Sequence, residues 1–145
     1  MKKVLAITVL VCGIFLVWPE PVKSPEQAVT NAVNQVAEAA RRAKPGDFME
    51  PFSEAYEGPE MTHSKLKAFV TRRFLSRGGI AVHLGEIEVQ LAPGQKAATA
   101  RFQATFPSSM KGFAARGDTF TFQVELVLEN EGWKIRSQQN WLFSG

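Results

Sequence analysis

The sequence contains few of the side chains that carry acid–base, metal or thiol chemistry. Its 145 residues include one cysteine, one tyrosine, two histidines and two aspartates. The cysteine, Cys12, lies in an apolar N-terminal segment, so the rest of the chain has neither a disulfide nor a thiolate metal ligand. His63 and His83 are 20 residues apart and are not accompanied by a cluster of carboxylates. We therefore expect no metal ion and no cofactor.

The chain also lacks a strong net charge. Its formal charge is +3, but Lys2 and Lys3 precede the apolar segment. Removing these two from the 17 basic residues leaves 15 against 14 acidic residues, a charge of +1 for residues 19–145. A nearly neutral domain offers no electrostatic basis for binding nucleic acid, so we expect no nucleic-acid partner.

An uncharged run, residues 4–18, follows the two N-terminal lysines. This pattern is typical of an export signal. The bulky Trp18 stands where signal cleavage would need a small residue, which favours a retained signal anchor over a cleaved signal peptide. The run is short for a membrane-spanning helix. Because it contains Cys12, a lipoprotein modified at this cysteine is a further alternative. We expect residues 1–18 to be the signal anchor or signal peptide, with inner-membrane contact through residues 4–18, and residues 19–24 to be a linker.

The next part of the chain has the spacing of helices. A capping box and regular apolar positions predict a first helix over residues 25–44. A second, short helix is expected over residues 48–56. Its apolar positions are Phe48, Met49, Phe52 and Tyr56. Thr62 or Ser64 caps a third helix, which ends before Gly78.

From Ile80 the apolar period changes to two, which is typical of strands. Residues 80–91 predict one long strand, bent by a β-bulge where the alternation changes phase at Gly85. Residues 98–106 predict the next strand, and residues 118–143 predict a hairpin of two long strands. The expected hairpin pairs are Leu128 with Trp133, Leu126 with Ile135, Val124 with Ser137 and Phe122 with Gln139.

Three helices followed by four antiparallel strands predict an α+β domain over residues 25–145, with the helices packed on one face of a strongly curved sheet. Such a sheet forms a cone with a pocket inside. Ser137 and Gln139 interrupt the otherwise apolar row of last-strand side chains that is expected to face the inside of the cone. Because buried polar groups normally have partners, these two residues are candidates for the pocket, together with Tyr56 and Trp141. The inward rows contain no carboxylate and no histidine, so we predict no catalytic residue.

Several segments resemble members of the nuclear transport factor 2-like superfamily. The resemblance covers residues 25–143. It is carried by the helix start Ser24-Pro25-Glu26, the helix end Arg77-Gly78-Gly79, the long bent strand and the closing segment GWKIRSQQNW at residues 132–141. The segments MTHSKLKAFVTRRFL and IAVHLGEIEVQL are similar to small exported bacterial proteins of this superfamily. The resemblance implies a cone-shaped pocket and a homodimer formed through the outer face of the sheet.

The resemblance leaves the function open between binding and catalysis. The superfamily includes isomerases, dehydratases and polyketide cyclases, whose catalytic groups are Asp, His or Tyr inside the cone, and it also includes non-enzymatic scaffolds. Because acid–base groups are scarce on the inward rows, we favour a non-catalytic module that binds a partner protein or a small apolar ligand in the bacterial cell envelope.

Two alternatives remain at this point. A small isomerase, dehydratase or cyclase would need Tyr56, or a carboxylate such as Glu54, in the pocket. An assembly component of an envelope or secretion complex would share the fold and the N-terminal anchor. Each hypothesis places the domain in the periplasm, held at the inner membrane or released if residues 1–18 are cleaved.

Overall fold

The computed structural model describes residues 24–107 and 119–144, and of residues 140–144 it describes the backbone. Within these ranges, three helices and seven strands follow one another. They are α1 (Pro25–Arg42), α2 (Pro45–Met49), β1 (Phe52–Gly58), β2 (Met61–Thr62), α3 (His63–Arg77), β3 (His83–Leu84), β4 (Glu88–Leu91), β5 (Ala97–Thr105), β6 (Thr119–Glu129) and β7 (Gly132–Ser144). The predicted export segment lies outside the described residues. None of the helices in the described ranges combines the length and the apolar character needed to cross a membrane.

The first helix begins and ends as local sequence signals require. The side-chain oxygen of Ser24 accepts a hydrogen bond from the Gln27 backbone N–H, and the Gln27 side chain accepts one from the Ser24 N–H, so the predicted capping box is present. Ala43 then adopts a left-handed conformation (φ 55°), which ends the helix at Arg42, two residues before the predicted end. α3 is capped by Thr62, whose hydroxyl accepts from the Lys65 N–H at 3.4 Å.

The second predicted helix is correct only in its first part. α2 ends at Met49, and the residues from Phe52 onward form β1. A spacing of four residues, such as that between Phe52 and Tyr56, places side chains on one face of a helix and also on one face of a strand. The strand forms here because β7 lies parallel to β1 and pairs with it. At the start of this pair, the Ile135 N–H of β7 donates a hydrogen bond to the Pro51 carbonyl (2.7 Å).

The sheet is mixed and has seven strands in the described residues, in the order β2-β1-β7-β6-β5-β3, with β4 also paired to β5. The β1–β7 pair is parallel and the other pairs are antiparallel. The predicted four-stranded antiparallel sheet is therefore correct in part: the predicted segments pair antiparallel, but β1 and β2 were not predicted, and the parallel β1–β7 pair makes the sheet mixed. The single strand predicted over residues 80–91 is two short strands, and the break lies at the phase change around Gly85.

The β6–β7 hairpin begins in the predicted register, in which Leu126 lies opposite Ile135. Arg136 is then an extra residue of β7, because Ser137 lies opposite Glu125. This β-bulge shifts the pairing by one residue, and such a shift exchanges the two faces of a strand. The observed pairs are Leu128–Trp133, Leu126–Ile135, Glu125–Ser137, Val124–Gln138 and Gln123–Gln139.

The helices pack on one face of the sheet, which confirms the α+β class. Two clusters of buried side chains lie between the layers. One joins α1 to the middle of the sheet through Val29, Val33, Ala98, Ala100, Val124, Leu126 and Ile135. The other joins the end of α1 to α3 through Ala37, Ala40, Val70, Phe74, Val82 and Ala104. The small alanines of β5 and α1 allow the two layers to approach closely, and a cavity remains between the clusters.

Candidate functional site

A cavity of about 220 Å³ lies between the helices and the inner face of the sheet. Its volume is below the roughly 300–1,000 Å³ of pockets for drug-sized ligands, so it suits a small molecule. Its wall is almost entirely apolar. The larger apolar side chains of that wall are Val33, Val36, Phe48, Phe52, Leu66, Ile80, Leu84, Phe102, Phe106, Phe122 and Ile135. Among the described lining residues, the polar side chains are Tyr56 and Gln138.

Aromatic rings form two sides of this pocket. On the α2–β1 side, Phe48 stacks on Phe52 with ring centroids 5.5 Å apart, and Phe52 meets Tyr56 edge to face at 5.1 Å. On the β5–β6 side, Phe102 stacks on Phe122 at 5.7 Å. Rings in these arrangements hold one another in place, so the pocket has flat and largely preformed apolar walls.

The hydroxyl of Tyr56 is the polar end of the pocket. The residue is 4% exposed, and its O–H donates to the side-chain oxygen of Gln138 over 3.5 Å. That distance is long for an O–H···O bond, so a ligand oxygen could replace Gln138 as acceptor. Burial raises the pKa of Tyr56 above its usual 10.0, because desolvation disfavours the phenolate. The side chain is therefore a neutral donor near pH 7.

The absence of a side chain at Gly58 leaves room for the Tyr56 hydroxyl. A Cβ added at Gly58 would overlap the Tyr56 hydroxyl, so any larger residue there would force the ring to move. The glycine lies two residues beyond Tyr56 on β1, on the same face of the strand. Gly58 is not among the candidates that the sequence predicts for the site.

The predicted inward orientation of Ser137 and Gln139 is wrong. Both lie on the outer face of the sheet beside Glu125. The Ser137 hydroxyl donates to one carboxylate oxygen of Glu125 at 3.2 Å, and the Gln139 amide donates to the other at 3.2 Å. Their polar groups thus have partners outside the pocket. The side chain of the fourth candidate, Trp141, lies outside the described residues.

Gln138 is the pocket residue that sequence reasoning missed. Alternation counted from Ile135 assigns residues 137 and 139 to the inner face, and the bulge at Arg136 moves that assignment to residue 138. The sequence does contain one signal: Ser137, Gln138 and Gln139 are three consecutive polar residues, so they leave the phase of the strand undetermined beyond Ile135.

The acidic and imidazole side chains that the structure describes lie away from the pocket. Glu54 is exposed on β1, His83 is exposed on β3, and His63 begins α3. Asp47 lies in the first turn of α2. Within the described ranges, no three His, Cys, Asp or Glu side chains are placed to hold a metal ion. The geometry of the described pocket thus offers hydrogen bonding and apolar contact.

Comparison with solved structures identifies the fold. A protein of Bdellovibrio bacteriovorus superposes with a TM-score of 0.68 at 12% identity, over 82% of this chain and 40% of that one. A nuclear transport factor 2-like protein of unknown function from Pseudomonas putida superposes with a TM-score of 0.65 at 13% identity, over 83% and 94% of the two chains. A protein assigned as a dehydratase of the same family, from Streptomyces avermitilis, gives 0.61 at 12%, over 79% and 95%.

Sequence comparison adds nothing to this result, because no family model and no curated protein matches the chain. At these identities the likeness concerns the fold and not the activity. Structures described as having a cystatin-like fold, from Nostoc punctiforme, superpose as well, at TM-scores of 0.62 and 0.63. The chain therefore has the nuclear transport factor 2-like, cystatin-like fold that its sequence resembles.

Proposed function

We propose that this protein binds a small, uncharged and mostly apolar molecule in the pocket between its helices and sheet, without catalysing a reaction. The observation that supports this most is the composition of the wall: apolar and aromatic side chains surround one buried hydroxyl, that of Tyr56, and one amide, that of Gln138. Pockets for small molecules commonly combine apolar walls with a few convergent polar groups.

The polar pair also indicates the chemistry of the ligand. Tyr56 stays protonated and can donate to a carbonyl or hydroxyl oxygen, and the amide of Gln138 can donate or accept. Burying a charged ligand group here would be costly, because no described lining residue is charged. A neutral molecule with one oxygen at the end of an apolar body fits these constraints.

The N-terminal segment is the basis for a proposal about where the domain works. We place it in the bacterial envelope, tethered through residues 4–18 or exported, because of the lysines and the apolar run at the N-terminus. A cone-like curvature of the sheet, a homodimer through its outer face and an envelope protein as partner belong to the same proposal. The outer face, with Arg101, Gln123 and Glu125 side by side on β5 and β6, has the polar character of a surface that contacts water or another protein.

A matched pair of probes tests the pocket. Acetophenone carries a carbonyl oxygen that Tyr56 can bond, and ethylbenzene has a similar shape without it. We expect acetophenone to bind roughly twofold to tenfold more tightly, as one hydrogen bond predicts, and Tyr56→Phe to abolish this difference. Titration by NMR chemical shifts measures both affinities. Equal binding of the two probes by the wild-type protein would contradict the proposed role of Tyr56.

Two neighbouring glutamines supply the control. Gln138→Leu removes an inward amide, whereas Gln139→Leu makes the same change on the outer face. We expect Gln138→Leu to alter acetophenone binding and Gln139→Leu to leave it unchanged.

Native mass spectrometry of the gently purified protein would additionally reveal a co-purified small molecule as a discrete mass released on activation.

A small enzyme of the dehydratase or isomerase kind is the second candidate. It is favoured by the position of Tyr56 in the pocket, where a donor could polarise a substrate carbonyl, and by the dehydratase assignment of a structural neighbour. The same probe separates the two candidates. Exchange of the acetophenone methyl protons in D₂O, faster with the protein and slowed by Tyr56→Phe, would replace the binding proposal with the enzymatic one. We expect no acceleration.

A further inference from the structure

The outward side of α3 combines positive charge with exposed apolar side chains. Residues 63–77 contain no acidic residue. They contain five cations, namely Lys65, Lys67, Arg72, Arg73 and Arg77. In the same helix the side chain of Leu75 is 82% exposed and that of Phe69 is 45% exposed. Leu75 is thus almost fully in contact with solvent in the part of the chain that the structure describes.

Two of the cations and both apolar side chains share one face of the helix. Phe69, Arg72 and Leu75 follow one another at intervals of three, which makes them neighbours on the helix surface. Lys65 precedes Phe69 by four residues and is exposed on the same side. The other side of α3 faces the core, where Phe74 is buried. The core therefore does not account for the apolar residues on the outward side.

The end of α1 adds positive charge next to the end of α3. The Ile80 N–H, just beyond α3, donates to the carbonyl of Ala40 in α1 at 2.8 Å, so the two helix ends are in contact. Arg42 and Lys44 are exposed there. Glu38 pairs with Arg42 at 2.8 Å and partly offsets this charge. Two further exposed cations thus lie near the end of α3.

A structural role explains only part of this pattern. Arg77 lies in the last turn of α3, where a cation stabilises the helix dipole, and Arg73 donates to the carbonyl of Gly78 at 3.2 Å. Neither role applies to Lys65 in the first turn or to Arg72, and neither explains why Phe69 and Leu75 are exposed beside them.

We infer that this face of α3, formed by Lys65, Phe69, Arg72 and Leu75, docks on an anionic membrane surface. The two apolar side chains enter the boundary between headgroups and acyl chains, and the cations contact lipid phosphates, as in other basic interfacial helices. A lipid surface fits better than an acidic protein, because Arg72 separates the two apolar side chains, which therefore form no continuous apolar patch of the kind that anchors protein interfaces. This inference concerns a different surface from the ligand pocket and does not depend on it.

The test uses the full chain with one fluorescent label. In a Cys12→Ala background, a cysteine is introduced by Ser76→Cys, next to Leu75, and in a control protein by Gln90→Cys on β4. The protein is added to vesicles of phosphatidylcholine alone or with roughly 30% phosphatidylglycerol. Quenching by acrylamide, a neutral molecule, reports how far each label is exposed to water.

We expect the label at residue 76 to become about threefold less accessible to acrylamide on the anionic vesicles and to stay accessible on the neutral ones. The label at residue 90 should stay accessible on both. Salt at about 0.5 M, or Lys65→Gln with Arg72→Gln, should reverse much of the protection. Phe69→Ser with Leu75→Ser should do the same without changing the charge.

Flotation of the same samples measures the tether separately, because residues 4–18 would hold the chain on both kinds of vesicle. A chain that floats with both while residue 76 remains equally accessible would overturn the docking inference and leave the tether standing. Equal protection at residues 76 and 90 would also overturn it, since burial would then not be specific to α3. Protection that requires an added protein fraction and not anionic lipid would replace the membrane with a protein partner.

Discussion

The two faces of the β6–β7 hairpin carry similar residues in different environments. Gln138 faces the apolar pocket and is the acceptor of the Tyr56 hydroxyl, whereas Gln139, its neighbour in sequence, faces outward and donates to Glu125. The side chains are identical and the backbone positions are adjacent. Adjacent residues of a strand point to opposite faces, and the extra residue Arg136 sets which of the two glutamines points inward. A single bulge thus decides which amide can meet a ligand.

The largest effect should come from the buried row that supports the inner face. Leu126 is fully buried, and Leu128 lies on the same face but is 46% exposed near the hairpin turn. We expect Leu126→Ala to lower the free energy of unfolding by about 2–5 kcal/mol, because it leaves a cavity in the core. Leu128→Ala, the same chemical change, should cost well under half of that. Urea unfolding measures the free energy of unfolding of the two variants. Similar losses of this free energy would show that burial in this row is not what stabilises the hairpin.

Gly58→Ala should disturb the inner face alone. The added methyl group overlaps the Tyr56 hydroxyl, so we expect a loss of about 1–3 kcal/mol in stability together with weaker acetophenone binding. Gly46→Ala is the control, since nothing lies within contact of a Cβ there. Adding Tyr56→Phe to Gly58→Ala removes the closest overlapping atom and should recover part of the stability, because the ring carbon Cζ, 2.9 Å from the added Cβ, must still shift. A double variant no more stable than Gly58→Ala would contradict the overlap with the hydroxyl as the main cause of the loss.

The titration of Tyr56 should reveal the inner environment directly. It is the single tyrosine of the chain, so ultraviolet absorbance follows its ionisation without interference from another phenol. Burial raises the pKa of Tyr56 in the folded state above 10.0. The unfolded chain therefore ionises first, and the stability linked to the neutral phenol is complete below pH 10 and is lost as the pH rises through the folded pKa. The measured midpoint should be higher in the native protein than in denaturant, and equal midpoints would contradict burial of the hydroxyl.

The smallest effect should come from the outer face. Ser137→Ala removes a hydrogen bond to Glu125 at a solvent-accessible site, where water can take its place. We expect a change of about 0.5 kcal/mol or less in the free energy of unfolding and no change in ligand binding. Thermal and urea unfolding measure it. A loss as large as that of the inner-face variants would show that the outer hydrogen bonds help to define the register of β7.

Local signals in the sequence were sufficient for much of the fold. The capping box at Ser24 and the cap at Thr62 are formed by residues within one turn, so the helix starts could be predicted from short segments. The apolar alternation of β5 and the first pairs of the hairpin were equally local. The α+β class of the domain follows from these elements.

The strand β1 and the phase of β7 depend on contacts between distant parts of the chain, so local signals could not predict them. β1 is a strand because β7, about 80 residues later, lies beside it, and no pattern within residues 52–58 distinguishes that outcome from a helix. Likewise, the bulge at Arg136 is settled by how β7 fits both of its neighbours, so alternation counted along one strand could not reveal it. The error in the candidate site was therefore one of phase, and it amounted to a single residue.

The place of β7 in the sheet also has a consequence for how the chain becomes folded. This strand lies between β1 and β6, yet in chain order it is the last strand of the described sheet. Until β7 has left the ribosome, β1 has no partner on that side, and the two halves of the sheet cannot join. Pairing across such a sequence distance is slow compared with helix formation. The two halves of the sheet therefore stay apart until the last of the described strands is in place.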